Sequence, residues 1–314
     1  MPILTNEAAG VHVITPTPFD EQGALDFAST ARMVERYLAM GASGLTILGV
    51  MGEAAKLTGA ESRAFVKEVL ARVDQRVLVT VGVSSPGFAA MGEFARSVMD
   101  MGASGVMIAP PSTLRTDDQI VDYFADAVEA IGADVPWVLQ DHPQSTNVVM
   151  SPKVIARIIE ASPSCVMLKH EDWPGLDKIT ALKRMETSGE LRRVAILIGN
   201  GGLFLPHELE RGADGAMTGY AYPEMLVGVV RLSKAGQRKQ AHDLFDRHLP
   251  LVRYETQPGL GLGVRKYVLK RRGIIAHDTL RKPAPKLSAE TIADVEWLIG
   301  RIEVGDAHHK DIAA

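Results

Sequence analysis

Lys169 closes the apolar run Cys165–Lys169 (CVMLK) and is followed by His170, Glu171 and Asp172. An amine at the end of an apolar strand is partly desolvated. Desolvation disfavours the ammonium form, and a neutral amine attacks carbonyl carbon, so the chemistry on offer is imine formation. Position alone weighs equally for a lysine that caps a strand with its head in water. Two glycine-rich stretches, Gly49–Glu53 (GVMGE) and Gly199–Gly202 (GNGG), present backbone N–H groups with little side chain in the way. Gly49, Val50 and Met51 in the first, and Gly199, Asn200 and Gly201 in the second, are candidates for holding a carboxylate or phosphate. Tight turns that need glycine conformations explain both stretches as well.

Other reactive types point less clearly. His142, His170 and His207 lie in separate segments, without an HxH or HxxxH pair, so no metal is expected. His170 should face away from Lys169, because neighbours on a strand point to opposite sides. The single cysteine, Cys165, excludes an intrachain disulfide, and its apolar neighbours mark it as a small buried residue. Gly259–Gly263 (GLGLG) has the look of a dinucleotide loop, but no strand precedes it.

The elements that must position these residues are betrayed by a repeat. Met40–Leu48 reads MGASGLTIL, Met101–Ala109 reads MGASGVMIA, and Arg211–Thr218 reads RGADGAMT. Each follows a helical pattern, such as Phe27–Ala39 or Met91–Asp100. The first glycine of each copy suits the left-handed position after a helix, and the apolar run behind the second suits a buried parallel strand. Gly44, Gly105 and Gly215 stand about 60 and about 110 residues apart, or two and then four βα units of roughly 30 residues. The copies thus precede strands two, four and eight. The remaining strands fall at Val11–Thr15, Val77–Val81, Val135–Gln140, Cys165–Lys169 and Val194–Ile198.

Eight units predict a closed (β/α)8 barrel over residues 1–222, in preference to an open doubly wound sheet. In that fold the functional residues sit where strands end, which is where Lys169 and both glycine stretches lie. Residues 223–304 read as a helical C-terminal extension broken at Gly236, Pro250, Pro258–Gly263, Gly273 and Pro283–Pro285. Residues 305–314 are expected to form a disordered tail.

The bulk numbers narrow the class. The 314 residues are 46% hydrophobic and 23% charged, an ordinary globular balance. A net charge of −4 offers no footprint for nucleic acid or an anionic membrane. The first residues lack the basic start and apolar core of a signal peptide, and no apolar run suffices for a membrane span, so a cytoplasmic protein is expected.

Read in order, the strand ends resemble the dihydrodipicolinate synthase / N-acetylneuraminate lyase family of Schiff-base aldolases and dehydratases. The likeness runs from about Gly10 to Ile302. It rests on ITPTPF (Ile14–Phe19), GVMGE with Leu57 and Thr58 behind it, VMLKHED around Lys169, and the closing VRKYVLKRRG and LRKPAPKLS. The resemblance implies a barrel whose Lys169 forms an imine with a 2-oxo acid. It also implies no cofactor and a homo-oligomer, a tetramer or a dimer.

The departures carry information. Val50 and Met51 replace the family's paired threonines, so the substrate carboxylate must use their backbone N–H groups. Gln140 replaces the tyrosine after strand five, Pro111 and Ser112 stand where a relay tyrosine comes after strand four, and Ser145 replaces an arginine. MIAPP, LQDHP and KxExxPG (Lys169, Glu171, Pro174, Gly175) look more like the sugar-acid dehydratases, which include L-2-keto-3-deoxyarabonate dehydratase. A lyase acting on a sugar-acid-type 2-oxo acid is therefore expected, with dehydration ahead of aldol cleavage. The alternatives are a condensation with pyruvate, and a 2-oxo acid-binding protein without turnover. Glu171, then Gln140 with water, then Asp141 are the candidates to move protons, and Asp141 is also a candidate for contact with substrate.

Overall fold

The computed structural model describes residues 2–173 and 175–312. Its chain alternates strand and helix: β1 (Gly10–Ile14), α1 (Phe27–Ala39), β2 (Gly44–Ile47), α2 (Gly59–Val73), β3 (Leu78–Gly82), α3 (Phe88–Met101), β4 (Gly105–Ile108), α4 (Asp117–Ile131). Then follow β5 (Trp137–Asp141), the one-turn α5 (Pro143–Thr146), α6 (Pro152–Ala161), β6 (Cys165–His170) and α7 (Leu176–Ser188). The series ends with β7 (Ala195–Ile198), α8 (Leu205–Glu210), β8 (Gly215–Thr218) and α9 (Pro223–Lys234). All eight strands are parallel, and β8 pairs with β1 to close the barrel.

Local chemistry sets the junctions. Thr58 and Glu61 form a reciprocal cap at the start of α2, as Thr116 and Gln119 do for α4, each satisfying otherwise orphaned N–H groups. The repeated glycines Gly41, Gly102 and Gly212 adopt φ of 89°, 106° and 97°, the left-handed turn that leads from helix into strand. Outward strand residues such as Val79, Val106 and Leu139 join the helices in one large core. A second, smaller cluster with Ile14, Met107, Val138, Leu197 and Met217 fills the barrel itself.

Beyond the ring lie α10 (Arg238–Glu255), α11 (Gly261–Arg271) and α12 (Ala289–Ile312). Three details differ from expectation. Helix α9 packs against β1 and β8 and so completes the ring, although a division at residue 222 assigns it to the extension. Pro250 lies inside α10 without ending it. Its ring removes one N–H donor, and the helix is carried by packing of Phe245, Leu251 and Val252 in the core. Helix α12 continues to Ile312, into the stretch expected to be an irregular tail, because the lone glycines at 300 and 305 weaken a helix without stopping it. Residues 313 and 314 of that tail, and Pro174 of the KxExxPG motif, lie outside the described residues.

Candidate active site

Register and alternation fix what lines the barrel. Going round a closed eight-stranded barrel, a level ring climbs about one residue per strand, so inward side chains stack in layers of four from alternate strands. Following the pairings, Thr46, Met107, Lys169 and Met217 share one layer. His12, Thr80, Val138 and Leu197 lie beneath it, and Ile14, Gly82, Gln140 and Gly199 above. Two of the four positions above Lys169 are glycines. Those two layer positions carry no side chain of their own, which leaves room for groups from the strand ends.

Glu171 occupies one of these gaps. The ladder continues one residue past β6, with the Glu171 N–H donating to Asp141 O at 2.8 Å, so Glu171 points to the same side as Lys169. A Cβ on Gly199 would sit 2.2–2.4 Å from Glu171 Cγ, Cδ and Oε2, so only glycine leaves room for that carboxylate. Glu171 Oε1 lies 2.8 Å from Lys169 Nζ and accepts from Gln140 Nε2 at 2.7 Å. Its Oε2 accepts from the Asn200 N–H at 3.0 Å. Lys169 and Glu171 are both buried. Burial alone would raise the Glu171 pKa, but the charge of Lys169, with His142 and the Asn200 N–H behind it, outweighs burial and holds the carboxyl at about 2. The site rests as a buried ion pair in which one carboxylate collects three donors.

Of the residues singled out from sequence, Lys169, Glu171, Gln140 and Asn200 come together. Asp141 does not. It follows inward-facing Gln140 and therefore points outward, where Oδ2 meets Lys178 Nζ at 2.9 Å and His170 Nδ1 at 3.5 Å. Asp141 thus braces β5 and β6 against α7 and faces away from the Lys169–Glu171 pair. His170 faces that same outer layer, with Nε2 3.2 Å from Gly175 O.

Val50, Met51 and Gly52 form a single 3-10 turn over the mouth, entered through Gly49. Its first bond runs from the Gly52 N–H to Gly49 O, which leaves the N–H groups of Val50 and Met51 outside the turn's own pairing. Val50 is 65% exposed, and Met51 packs on the barrel's inner cluster. The GNGG stretch differs from expectation in part. The Asn200 N–H is committed to Glu171, and Gly201 combines a left-handed φ of 68° with a site where a Cβ would run into Thr256 Cγ2.

Two residues near the pair were not among the catalytic or substrate-binding candidates. His142 Nδ1 stands 3.7 Å from Glu171 Oε1 and bonds Ser145 Oγ at 2.8 Å, and burial lowers its pKa, which favours neutral imidazole. Thr46 sits across the barrel from Lys169 in the same layer, and its buried hydroxyl has no protein partner among the described residues. Alternation along β2 was the available signal for Thr46. Tyrosine hydroxyls lie elsewhere: Tyr220 on His248, Tyr254 on Asp294 and Tyr267 on Glu296.

The mouth is held from outside the barrel. Lys266 of α11, fully buried, donates to Thr17 O and Thr279 O at 2.8 Å and pairs with Glu53 Oε1 at 2.7 Å. Glu53 Oε2 takes Lys56 Nζ and the Arg281 N–H, both at 3.0 Å. The turn after β2 is thereby tied to the loop after β1 and to the C-terminal extension.

A model of the dihydrodipicolinate synthetase family matches residues 7–301. The chain belongs to that family. As a member of the dihydrodipicolinate synthetase family it is a lyase, and its closed parallel barrel with C-terminal helices is the architecture of its structural neighbours. A dihydrodipicolinate synthase from Rhodopseudomonas palustris is 57% identical, with a TM-score of 0.95 over 96% of this chain and 100% of that one. L-2-keto-3-deoxyarabonate dehydratase from Azospirillum brasilense is 28% identical over 94% of both chains. A 4-hydroxy-tetrahydrodipicolinate synthase from Methanothrix thermoacetophila is 31% identical over 79% of this chain and 83% of its own. Among the described residues, no helix is long and apolar enough to cross a membrane.

Proposed function

We propose that this lyase dehydrates a 2-oxo-3-deoxy sugar acid through an imine on Lys169. The observation that carries the reading is the Lys169–Glu171 pair, with Glu171 fixed by Gln140 and Asn200 where a tyrosine relay is missing. Lys169 Nζ adds to C2 of the substrate, and loss of water leaves an iminium that acidifies the C3 hydrogens. The C1 carboxylate faces the N–H groups of Val50 and Met51.

Glu171 then removes a C3 proton, giving a neutral enamine beside a neutral carboxylic acid. In the resting pair the lysine charge outweighed burial. Once that charge is gone, burial favours the protonated acid, so Glu171 keeps the proton until the C4 hydroxyl takes it and leaves as water. Expulsion restores the iminium and the carboxylate, and water hydrolyses the imine to free the product. Lys169, Glu171 and Gln140 therefore act as nucleophile, proton carrier and holder of the carrier. The A. brasilense relative's name supports the substrate class.

The R. palustris relative's name favours a second reading, condensation of pyruvate with an aldehyde. Ser145 standing where the arginine for a second carboxylate is expected weighs against it. The deciding assay follows 2-oxo-3-deoxy pentonates and hexonates by NMR, alongside pyruvate with aspartate semialdehyde. Loss of water from the sugar acids, absent in Lys169→Ala, is expected. Condensation without any turnover of the sugar acids would overturn the proposal.

A further inference from the structure

A second cluster of donors lies away from the barrel mouth, on the face where α8 meets α10. His207 and Glu210 stand one turn apart on α8, so their side chains share a side. His242 reaches them from α10, with Nε2 2.8 Å from Glu210 Oε1. His207 Nδ1 lies 4.0 Å from Glu210 Oε2, and the two imidazoles meet edge to face at 4.9 Å between centroids. One donor atom from each residue lies within 4.8 Å of the other two.

We infer that His207, Glu210 and His242 form a binding site for a divalent transition metal of the zinc class. Zinc bonds of about 2.0–2.2 Å in a tetrahedron put neighbouring donors roughly 3.3 Å apart, between the two spacings found here. Two imidazoles and one carboxylate are a set that zinc accepts with water in the fourth position. The hard, oxygen-seeking cations prefer carboxylates and carbonyls, so magnesium and calcium are poor candidates. His207 and Glu210 are exposed and His242 is half-buried, so the adjustment needed is a matter of side-chain rotation.

The present holder of Glu210 is Arg238, whose Nε and Nη2 contact its two oxygens at 2.7 and 3.1 Å. A metal ion held between His242 and Glu210 Oε1 would compete with the Arg238 Nε contact to that same oxygen. The Arg238 side chain is 72% exposed, and an exposed ion pair is weak, so a metal displaces it into water at small cost. Competition with Arg238 gives the site a signature that adventitious binding lacks. A bound ion would clip α8 to α10 and so stabilise the fold.

The test uses the full chain stripped with chelator, titrated with Zn²⁺ by calorimetry and with Co²⁺ by visible absorption. Because adjacent His308 and His309 offer a rival place for a metal, the background carries His308→Ala and His309→Ala. One saturable site per chain is expected, with a cobalt spectrum of tetrahedral type and a raised Tm on loading. His207→Ala and His242→Ala should each weaken binding by more than about tenfold, since even residues behind a metal's ligands cost that much. Arg238→Ala should tighten it. Absence of saturable binding up to about 1 mM, the edge of useful affinity, would overturn the inference. So would unchanged affinity in both histidine variants, or no tightening in Arg238→Ala. Circular dichroism of each variant confirms that these surface changes leave the fold intact.

Discussion

Replacing Glu171 by glutamine separates proton transfer from imine formation. Glutamine keeps the shape but carries one acceptor and one donor where the carboxylate had two acceptors. With its oxygen at the Oε1 place it still receives Lys169 and Gln140, but its NH2 then faces the Asn200 N–H from 3.0 Å. Flipping it sets NH2 against two donors instead of one, so the first arrangement wins. One buried donor goes unsatisfied, at a cost of about 1–3 kcal/mol. At roughly 2–4 °C per kcal/mol for chains approaching this size, Tm should fall by several degrees, and the protein stays folded. Turnover should fall about 10²–10⁴-fold, the usual worth of a general acid–base group. Lys169 retains its Nζ, so borohydride should still trap a 2-oxo acid on it, read by mass spectrometry on the sample used for turnover. The variant should also change the acid limb of stability. A carboxyl held at about 2 when folded but near its ordinary value when unfolded adds stability above that ordinary value, lost as pH falls toward 2. Glu171→Gln should therefore lose less stability than the parent on acidification. Unchanged turnover with intact trapping would refute the argument and leave His142 as the nearest alternative carrier.

Gly199→Ala should fold but lose turnover on a scale similar to Glu171→Gln, since its methyl takes the space of the Glu171 carboxylate; steady-state rates check this, and a normal kcat would mean the carboxylate is not needed there. Gln140→Glu would set two carboxylates in contact around one proton, raising the pKa of one of them. The pH–rate profile should then shift, with trapping preserved, and an unaltered profile counts against Gln140 as the holder of Glu171. Lys266→Met leaves Glu53 short of a buried partner and should cost up to about 3–5 kcal/mol in denaturant unfolding. A loss under about 1 kcal/mol would place the pair among weak surface bridges.

The barrel was legible because the MGASG repeat marks three helix-to-strand junctions and the chain spaces them in whole βα units. Strand limits slipped by one or two residues, as at β3 and β5, where flanking apolar residues blur the ends. The nearness of Lys169 and Glu171 was legible from alternation, and the same rule applied to Gln140 and Asp141 would have turned Asp141 away from the mouth. The gap at Gly199 was not legible, because the side chain that fills it comes from a neighbouring strand. For Thr46, alternation gives the inward face, but its place opposite Lys169 depends on the stagger of the closed barrel. Pro250 misled because a single missing hydrogen bond is outweighed by the core packing of α10.

The grip of Lys266 on Glu53 bears on how the protein is made. These partners are 213 residues apart, whereas Glu171 stands only 31 residues from Gln140 and 29 from Asn200. At about 5–20 residues per second, synthesis needs roughly 10–40 s to travel from Glu53 to Lys266. Such a separation costs little in equilibrium terms, since loop entropy grows only logarithmically, but it imposes an order in time. The nascent barrel can draw Lys169, Glu171 and Gln140 together from neighbouring units, while the turn that carries Val50 and Met51 waits for a helix not yet translated. The turn over the mouth is thus fastened last, when α11 comes back to meet Glu53.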